Sequence, residues 1–141
     1  MERKVVVDAS VVVKWFIEEE YSEQALKLLD AYKEGLLDLV APSLLPYEVL
    51  NALKYSNVFG EDELKEVAIV LESLQITTFE LRSDHARRSL EIAMRKGVTV
   101  YDASYVALAE LENAAFYTAD EKLLRKVKDL DFVKHIRDFD I

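Results

Sequence analysis

Five short runs rich in β-branched and aromatic residues are spaced along the chain: KVVVDAS (4–10), LDLVAP (37–42), QITTFEL (75–81), AAFYTAD (114–120) and FVKHI (132–136), with helix-patterned segments between them. This alternation restricts the fold more than any other feature. Strands separated by a helix do not form hairpins; they pair in parallel while the helices cover the faces of the sheet. The unbroken Val5-Val6-Val7 run fits such a strand, because a strand covered on both faces has no solvent side to alternate with. The expectation is an α/β fold with a central, mainly parallel sheet of about five strands.

Between the strands, Ala25, Leu28, Leu29 and Tyr32 recur at helical spacing over Tyr21 to Glu34, and Glu23 stands four residues before Lys27. Pro42 is expected to stop the second strand. Ser43 can then cap a helix reaching about Asn57, with Pro46 tolerated in its first turn. Gly60 precedes a helix marked by Leu64, Val67, Ala68, Leu71 and Leu74. Ser83 to Arg95 and Tyr101 to Glu112 read as two helices parted by Gly97, and Glu121 to Lys128 as a short one. No repeat, linker or low-complexity tract divides the chain, so residues 1–141 read as a single domain with an adequate core.

No apolar run approaches the ~20 residues of a membrane span. The amino-terminal MERKVVVDAS goes straight into a strand and lacks the apolar core of a signal peptide. The absence of cysteine excludes disulfides and thiolate metal sites, which makes a cytoplasmic protein the simplest expectation. The Lys/Glu-rich, cysteine-free composition hints at a thermophilic source. A net charge of −9 argues against a protein that coats nucleic acid through a basic excess, although not against an enzyme that reaches phosphates through metal ions. The charge is also uneven: FIEEEYSEQ is strongly acidic and LRSDHARRSLEIAMRKG is basic, either a solvated helix face or a phosphate-contacting surface.

Four acids stand out: around Glu48 and Asp102, and on the C-terminal side of Asp120, no cation lies one helical turn away, and Asp8 closes an apolar strand. Asp8 and Asp120 follow predicted strands, where function gathers in open parallel sheets, and Glu48 and Asp102 sit in the first turns of predicted helices. Glu48 has Leu44, Leu45, Asn51 and Ala52 three and four residues away; Asp102 has Val98, Thr99, Tyr105 and Val106. Singly, Asp8, Asp102 and Asp120 also read as helix caps or macrodipole partners, and Glu48 as an ordinary helix glutamate. Gathered at one end of a sheet they would repel, at about 4 kcal/mol for two charges 4 Å apart in an effective dielectric near 20. Either protons are retained or a cation sits among them, and an all-oxygen set suits Mg²⁺ or Mn²⁺. Zinc is disfavoured, since the only histidines are His85 and His135, far apart in sequence and read as structural or surface residues.

VVVDASVVVKWF, APSLLPYEVLNAL, TVYDASYVALAE and FYTADEKLLRK, in this order and over essentially the whole chain, resemble the PIN-domain ribonucleases, most closely the VapC-like toxins of toxin–antitoxin pairs. The resemblance implies a Rossmann-like α/β/α sandwich and an Mg²⁺- or Mn²⁺-dependent endoribonuclease whose acids are Asp8, Glu48, Asp102 and Asp120. It implies Ser10, Asn51 and Thr118 as accessory polar positions, with Ser10 standing where many relatives have asparagine. A cognate antitoxin and a homodimer are the implied partners, the antitoxin in an apolar groove bounded by the helices around Tyr21–Tyr32 and Glu48–Phe59.

Lys14, Lys54, Arg82, Arg87 and Arg88 are the cations expected to guide RNA. Trp15 and Phe16 are read as core or interface residues ahead of a base-stacking role. Two other readings compete: a PIN fold that processes or binds RNA without acting as a toxin, and a phosphatase or receiver-type phosphotransfer domain. The latter is disfavoured because Ser10 stands where such a phosphatase usually has a second aspartate and QITTFELRS offers no phosphoacceptor aspartate.

Overall fold

In the computed structural model, which describes residues 3–141, five strands form one sheet: β1 (Lys4–Val7), β2 (Asp38–Pro42), β3 (Thr77–Phe79), β4 (Ala115–Thr118) and β5 (Val133–His135). Their order is β3-β2-β1-β4-β5, and every pairing is parallel, where the sequence suggested only a mainly parallel sheet. Seven helices connect them: α1 (Ala9–Val12), α2 (Ser22–Lys33), α3 (Leu45–Tyr55), α4 (Glu61–Ser73), α5 (Ser83–Lys96), α6 (Val100–Leu111) and α7 (Glu121–Lys126).

From β1 the chain steps outward to β2 and β3, then returns past β1 to β4 and β5. Right-handed crossovers place α1–α4 on one face and α5–α7 on the other. The reversal lies between β1 and β4, so the crevice beyond their carboxyl ends is the topological switch point.

The core explains the rigidity of that crevice. Val5, Val6 and Val7 of β1 and Phe116 of β4 are fully buried. Helix α6 buries every residue from Ala103 to Ala109. Three of these are alanines, which let the helix lie close against the sheet, where its partners are β1, β2 and β4.

One local expectation fails. Ser43 does not cap α3: Leu44 occupies that position without a side-chain cap, and the Ser43 N–H donates to Phe79 O at 2.9 Å. That bond extends the β2–β3 ladder by one rung past Pro42, where β2 ends as expected. The α2 face bearing Ala25, Leu28 and Leu29 is buried. The apolar cavity on this side, about 380 Å³, lies between α3 and α4 against Leu45, Leu50, Ala68 and Leu71. No helix is long and apolar enough to cross a membrane among the described residues.

Candidate active site

Asp8 is the first residue beyond β1, and β4 brings Thr118 alongside it, since Val7 pairs with Tyr117 in the ladder. The Asp8 side chain does not cap α1. Its two oxygens accept from hydroxyls instead: Ser10 Oγ donates to Oδ1 at 2.5 Å and Thr118 Oγ1 to Oδ2 at 2.6 Å. Each hydroxyl oxygen in turn accepts a backbone N–H, Ser10 from Ala119 at 2.8 Å and Thr118 from Asp120 at 3.1 Å. Both hydroxyl protons are therefore committed to Asp8, and the 3.2 Å approach of Ser10 Oγ to Thr118 Oγ1 has no proton left to share.

Asp8 is 8% exposed, and burial raises its pKa from 3.8 to about 6 against the opposing pull of Ser10 and Thr118. The charges of Asp120 and Asp102 push it further up. Burial likewise raises Asp102, again with Asp120 adding to the effect, and raises Glu48, where Asp102 contributes. Asp8, Asp102 and Asp120 are thus within electrostatic reach of one another at the switch point, and Glu48 is within reach of Asp102.

Each is held differently. Asp120 caps α7, its Oδ1 accepting from Leu123 N at 3.0 Å, so the cap reading and the site reading describe one residue. Asp102 is not a cap. Thr99 takes that position on α6, its hydroxyl accepting from Asp102 N at 3.0 Å, which leaves the Asp102 carboxylate free in the first turn, where the macrodipole favours an anion. Glu48 Oε1 accepts from Tyr105 Oη at 2.7 Å. Tyr105 is 1% exposed and stacks on Phe116 at 5.8 Å between ring centroids, so a core aromatic fixes the glutamate.

These partners lie 57 and 110 residues away in the chain, out of reach of sequence spacing. Asp102 also feels Lys126, which lowers its pKa. The cation missing one turn away is supplied from α7, where Lys126 donates to Gly97 O at 2.8 Å.

The remaining candidates separate. Asn51, exposed, stands one turn beyond Glu48 on α3, and Lys54 another turn on, its Nζ 4.4 Å from the Tyr55 ring centroid. Lys14, expected at an RNA surface, is instead 8% exposed and paired with Glu19 at 3.1 Å. Arg82 pairs with Glu80, Arg87 with Asp84 and Glu91, and Arg88 with Glu91 and Glu110, so acids offset the charge of that basic stretch. Glu110 lies eight residues along α6 from Asp102, about 12 Å at 1.5 Å per residue. Trp15 is half-buried, its Nε1 donating to Ala25 O at 2.8 Å. His85 bonds Ser104 O at 2.8 Å within the α5–α6 contact, and His135 Nδ1 accepts from Arg137 N at 3.0 Å.

Whether this site suits a divalent cation turns on its donors. All are carboxylate or hydroxyl oxygens, and a buried carboxyl held near pKa 6 with two further negative charges upon it is what a hard cation would relieve. No three His, Asp or Glu side chains among the described residues stand close enough to enclose one ion. Mg²⁺ needs no such enclosure, since it binds through one or two carboxylates and keeps several waters. The residues fit the ion.

A parallel α/β sheet with acids at its switch point defines a class, and the PIN domain model matches residues 5–130 of this sequence. The chain belongs to the PIN-domain family. It is 36% identical over 131 residues to ribonuclease VapC3 of Pyrobaculum aerophilum, covering 87% of this chain and 94% of that protein. Among solved structures, the fold is similar to Mycobacterium tuberculosis VapC20, a sarcin-ricin-loop-cleaving toxin, with a TM-score of 0.68, 14% identity and coverage of 86% and 93% of the two chains. A toxin–antitoxin complex from Klebsiella pneumoniae is likewise similar, with a TM-score of 0.65, 17% identity and coverage of 85% and 89%.

Proposed function

We propose that this protein is a VapC-type, metal-dependent endoribonuclease that hydrolyses RNA phosphodiester bonds at the acidic switch point, and that it acts as the toxin of a VapBC-type pair. The observation carrying this reading is Asp8: a buried carboxylate wrapped by two hydroxyls, with the charges of Asp102 and Asp120 upon it and no cationic side chain bonded to it among the described residues. The ribonuclease names of relatives covering nearly the whole chain support the same reaction.

A bound Mg²⁺ or Mn²⁺ would supply activation of a water and charge stabilisation of the departing oxygen. Asp8 would hold it directly, with Asp102 and Asp120 reaching it through its waters. Ser10 and Thr118 orient both Asp8 oxygens, so the carboxylate is positioned before any ion arrives. Glu48 receives the proton of the attacking water: Tyr105 pins Oε1 and leaves Oε2 available, and burial, which raises its pKa above the ordinary glutamate value, makes it the better base. Lys54, exposed on α3 beyond Asn51, meets the RNA backbone. An antitoxin partner and a homodimer belong to the same reading, the antitoxin supported by the structural similarity to a toxin–antitoxin complex.

The test is incubation of the purified protein and Asp8→Asn with mixed structured RNAs under Mg²⁺, Mn²⁺ or EDTA. Cleavage is expected only with metal and with Asp8. Cutting that persists in EDTA or in Asp8→Asn, or calorimetry showing no Mn²⁺ binding, overturns the proposal.

A further inference from the structure

Beside the acids lies a cavity of about 200 Å³ that the reaction leaves unused. It opens where β2 and β3 end and α3 and α6 begin, bounded by Ser43 and Leu44 on one side, Phe79 and Leu81 on another, and Tyr101 and Ser104 of α6 on the third. It adjoins the site through both helices: Leu44 is one turn before Glu48, and Tyr101 is the neighbour of Asp102.

Three properties set its ligand. None of its lining residues is ionisable in the neutral range, so it offers nothing to a phosphate although it adjoins the helix turns that carry Glu48 and Asp102. Its walls are an aromatic ring from β3 and a tyrosine that is 62% exposed in the first turn of α6, with Leu81 47% exposed at the rim. Its hydroxyls differ: Ser104 Oγ donates to Tyr101 O at 2.6 Å, whereas Ser43, freed from capping α3, has a hydroxyl without a partner among the described residues. A planar, uncharged group with polar edges meets all three.

We infer that this cavity is a nucleobase subsite, receiving an unstacked base of single-stranded RNA next to the scissile phosphate, stacked against Tyr101 and Phe79 and hydrogen-bonded at its edge by Ser43. The inference rests on the ribonuclease reading for its substrate. A base in a duplex is already stacked on both faces, so the subsite selects single strands, loops or bulges. Stacking takes any base, and one hydroxyl both donates and accepts, so it discriminates bases weakly and senses the presence of a base strongly.

The test uses Tyr101→Ala and Ser43→Ala, which alter exposed and half-buried positions outside the core. The wild-type cut site is first mapped in a single-stranded oligoribonucleotide, and the oligonucleotide is remade with an abasic residue on either side of that bond. One abasic position is expected to lower wild-type kcat/KM by about 10- to 100-fold, the equivalent of ~1–3 kcal/mol of stacking. Tyr101→Ala should be equally slow on the intact oligonucleotide and insensitive to that abasic position. Equal sensitivity of Tyr101→Ala and wild type to both abasic substrates overturns the subsite while leaving the nuclease intact.

Nucleoside monophosphates, titrated by NMR without turnover, separate the two readings. Shifts at Ser43, Phe79 and Tyr101 that vanish in Tyr101→Ala support the subsite even if no RNA is cut. Absence of shifts in wild type overturns it. Tyr101→Ala that cleaves normally yet escapes its antitoxin assigns the cavity to the protein partner and overturns it as well.

Discussion

Replacing Asp8 by asparagine should stabilise this protein at alkaline pH while removing its activity. The folded chain holds the Asp8 carboxyl near pKa 6, whereas an unperturbed aspartate lies at 3.8. A group that binds its proton more tightly when folded contributes stability fully below its unfolded pKa, and that stability is lost as pH rises through the folded one. The interval from 3.8 to about 6 corresponds to about 3 kcal/mol at 1.36 kcal/mol per pH unit.

Asparagine stays neutral throughout, but its amide cannot keep both contacts. Ser10 Oγ and Thr118 Oγ1 each donate to Asp8, and an amide offers one acceptor oxygen in place of two, so one hydroxyl loses its acceptor at a cost of about 1 kcal/mol. The net gain near pH 8 is about 2 kcal/mol, which raises Tm by about 8 °C at roughly 4 °C per kcal/mol for a chain of this size. The assay is thermal unfolding of both proteins by circular dichroism in EDTA, near pH 8 and near pH 4. The Asp8→Asn advantage should disappear at the lower pH, and saturating Mn²⁺ should narrow or reverse it at the higher one by stabilising the wild type alone. An Asp8→Asn protein no more stable than wild type near pH 8 would refute the claim that burial holds this carboxyl up.

Three further perturbations test the surroundings. Tyr105→Phe keeps the stack on Phe116 but removes the donor to Glu48; stability should fall by about 1 kcal/mol, and the acid limb of the pH–rate profile should move to higher pH, because that bond lowers the Glu48 pKa. Thr118→Val removes one of the two hydroxyls that favour ionised Asp8, so NMR titration of Asp8 should show a pKa above that of wild type, with Mn²⁺ affinity lost first on the acidic side. Tyr32→Phe breaks the 2.6 Å bond from Tyr32 Oη to Leu74 O that ties α2 to the end of α4; a drop of about 1 kcal/mol in urea-derived stability, with cleavage rate unchanged, is expected.

The sheet was legible because its strands announce themselves twice, by β-branched composition and by the helical spacing between them. Strand and helix ends slipped by a residue or two where ladder bonds outweigh local preference, as at Ser43, whose residue type says cap and whose N–H is instead spent on Phe79. The acids could be singled out because a carboxylate flanked by leucine and valine lacks a local reason to be there. What holds them could not be read. Tyr105 looks like any core aromatic until α6 crosses the sheet beside α3, and Lys126 is an ordinary helix lysine until α7 folds back to Gly97. Lys14 misled for the opposite reason, since sequence displays its charge but not the burial and the Glu19 pairing that take it from the surface.

The pairing of Asp8 with Thr118 across 110 residues also bears on when the protein becomes dangerous. Chains fold from the amino terminus as they are made, and β1 must wait for β4, the fourth strand in sequence, before its aspartate is clasped. A nascent chain that has completed β1, β2 and β3 presents Asp8 on an unfinished sheet, and neither Thr118 nor Asp120 has yet been synthesised. The proposed acidic site is therefore completed only once β4 and the start of α7 have been made, and prematurely terminated chains lacking residues beyond 114 would be unable to cleave RNA through it.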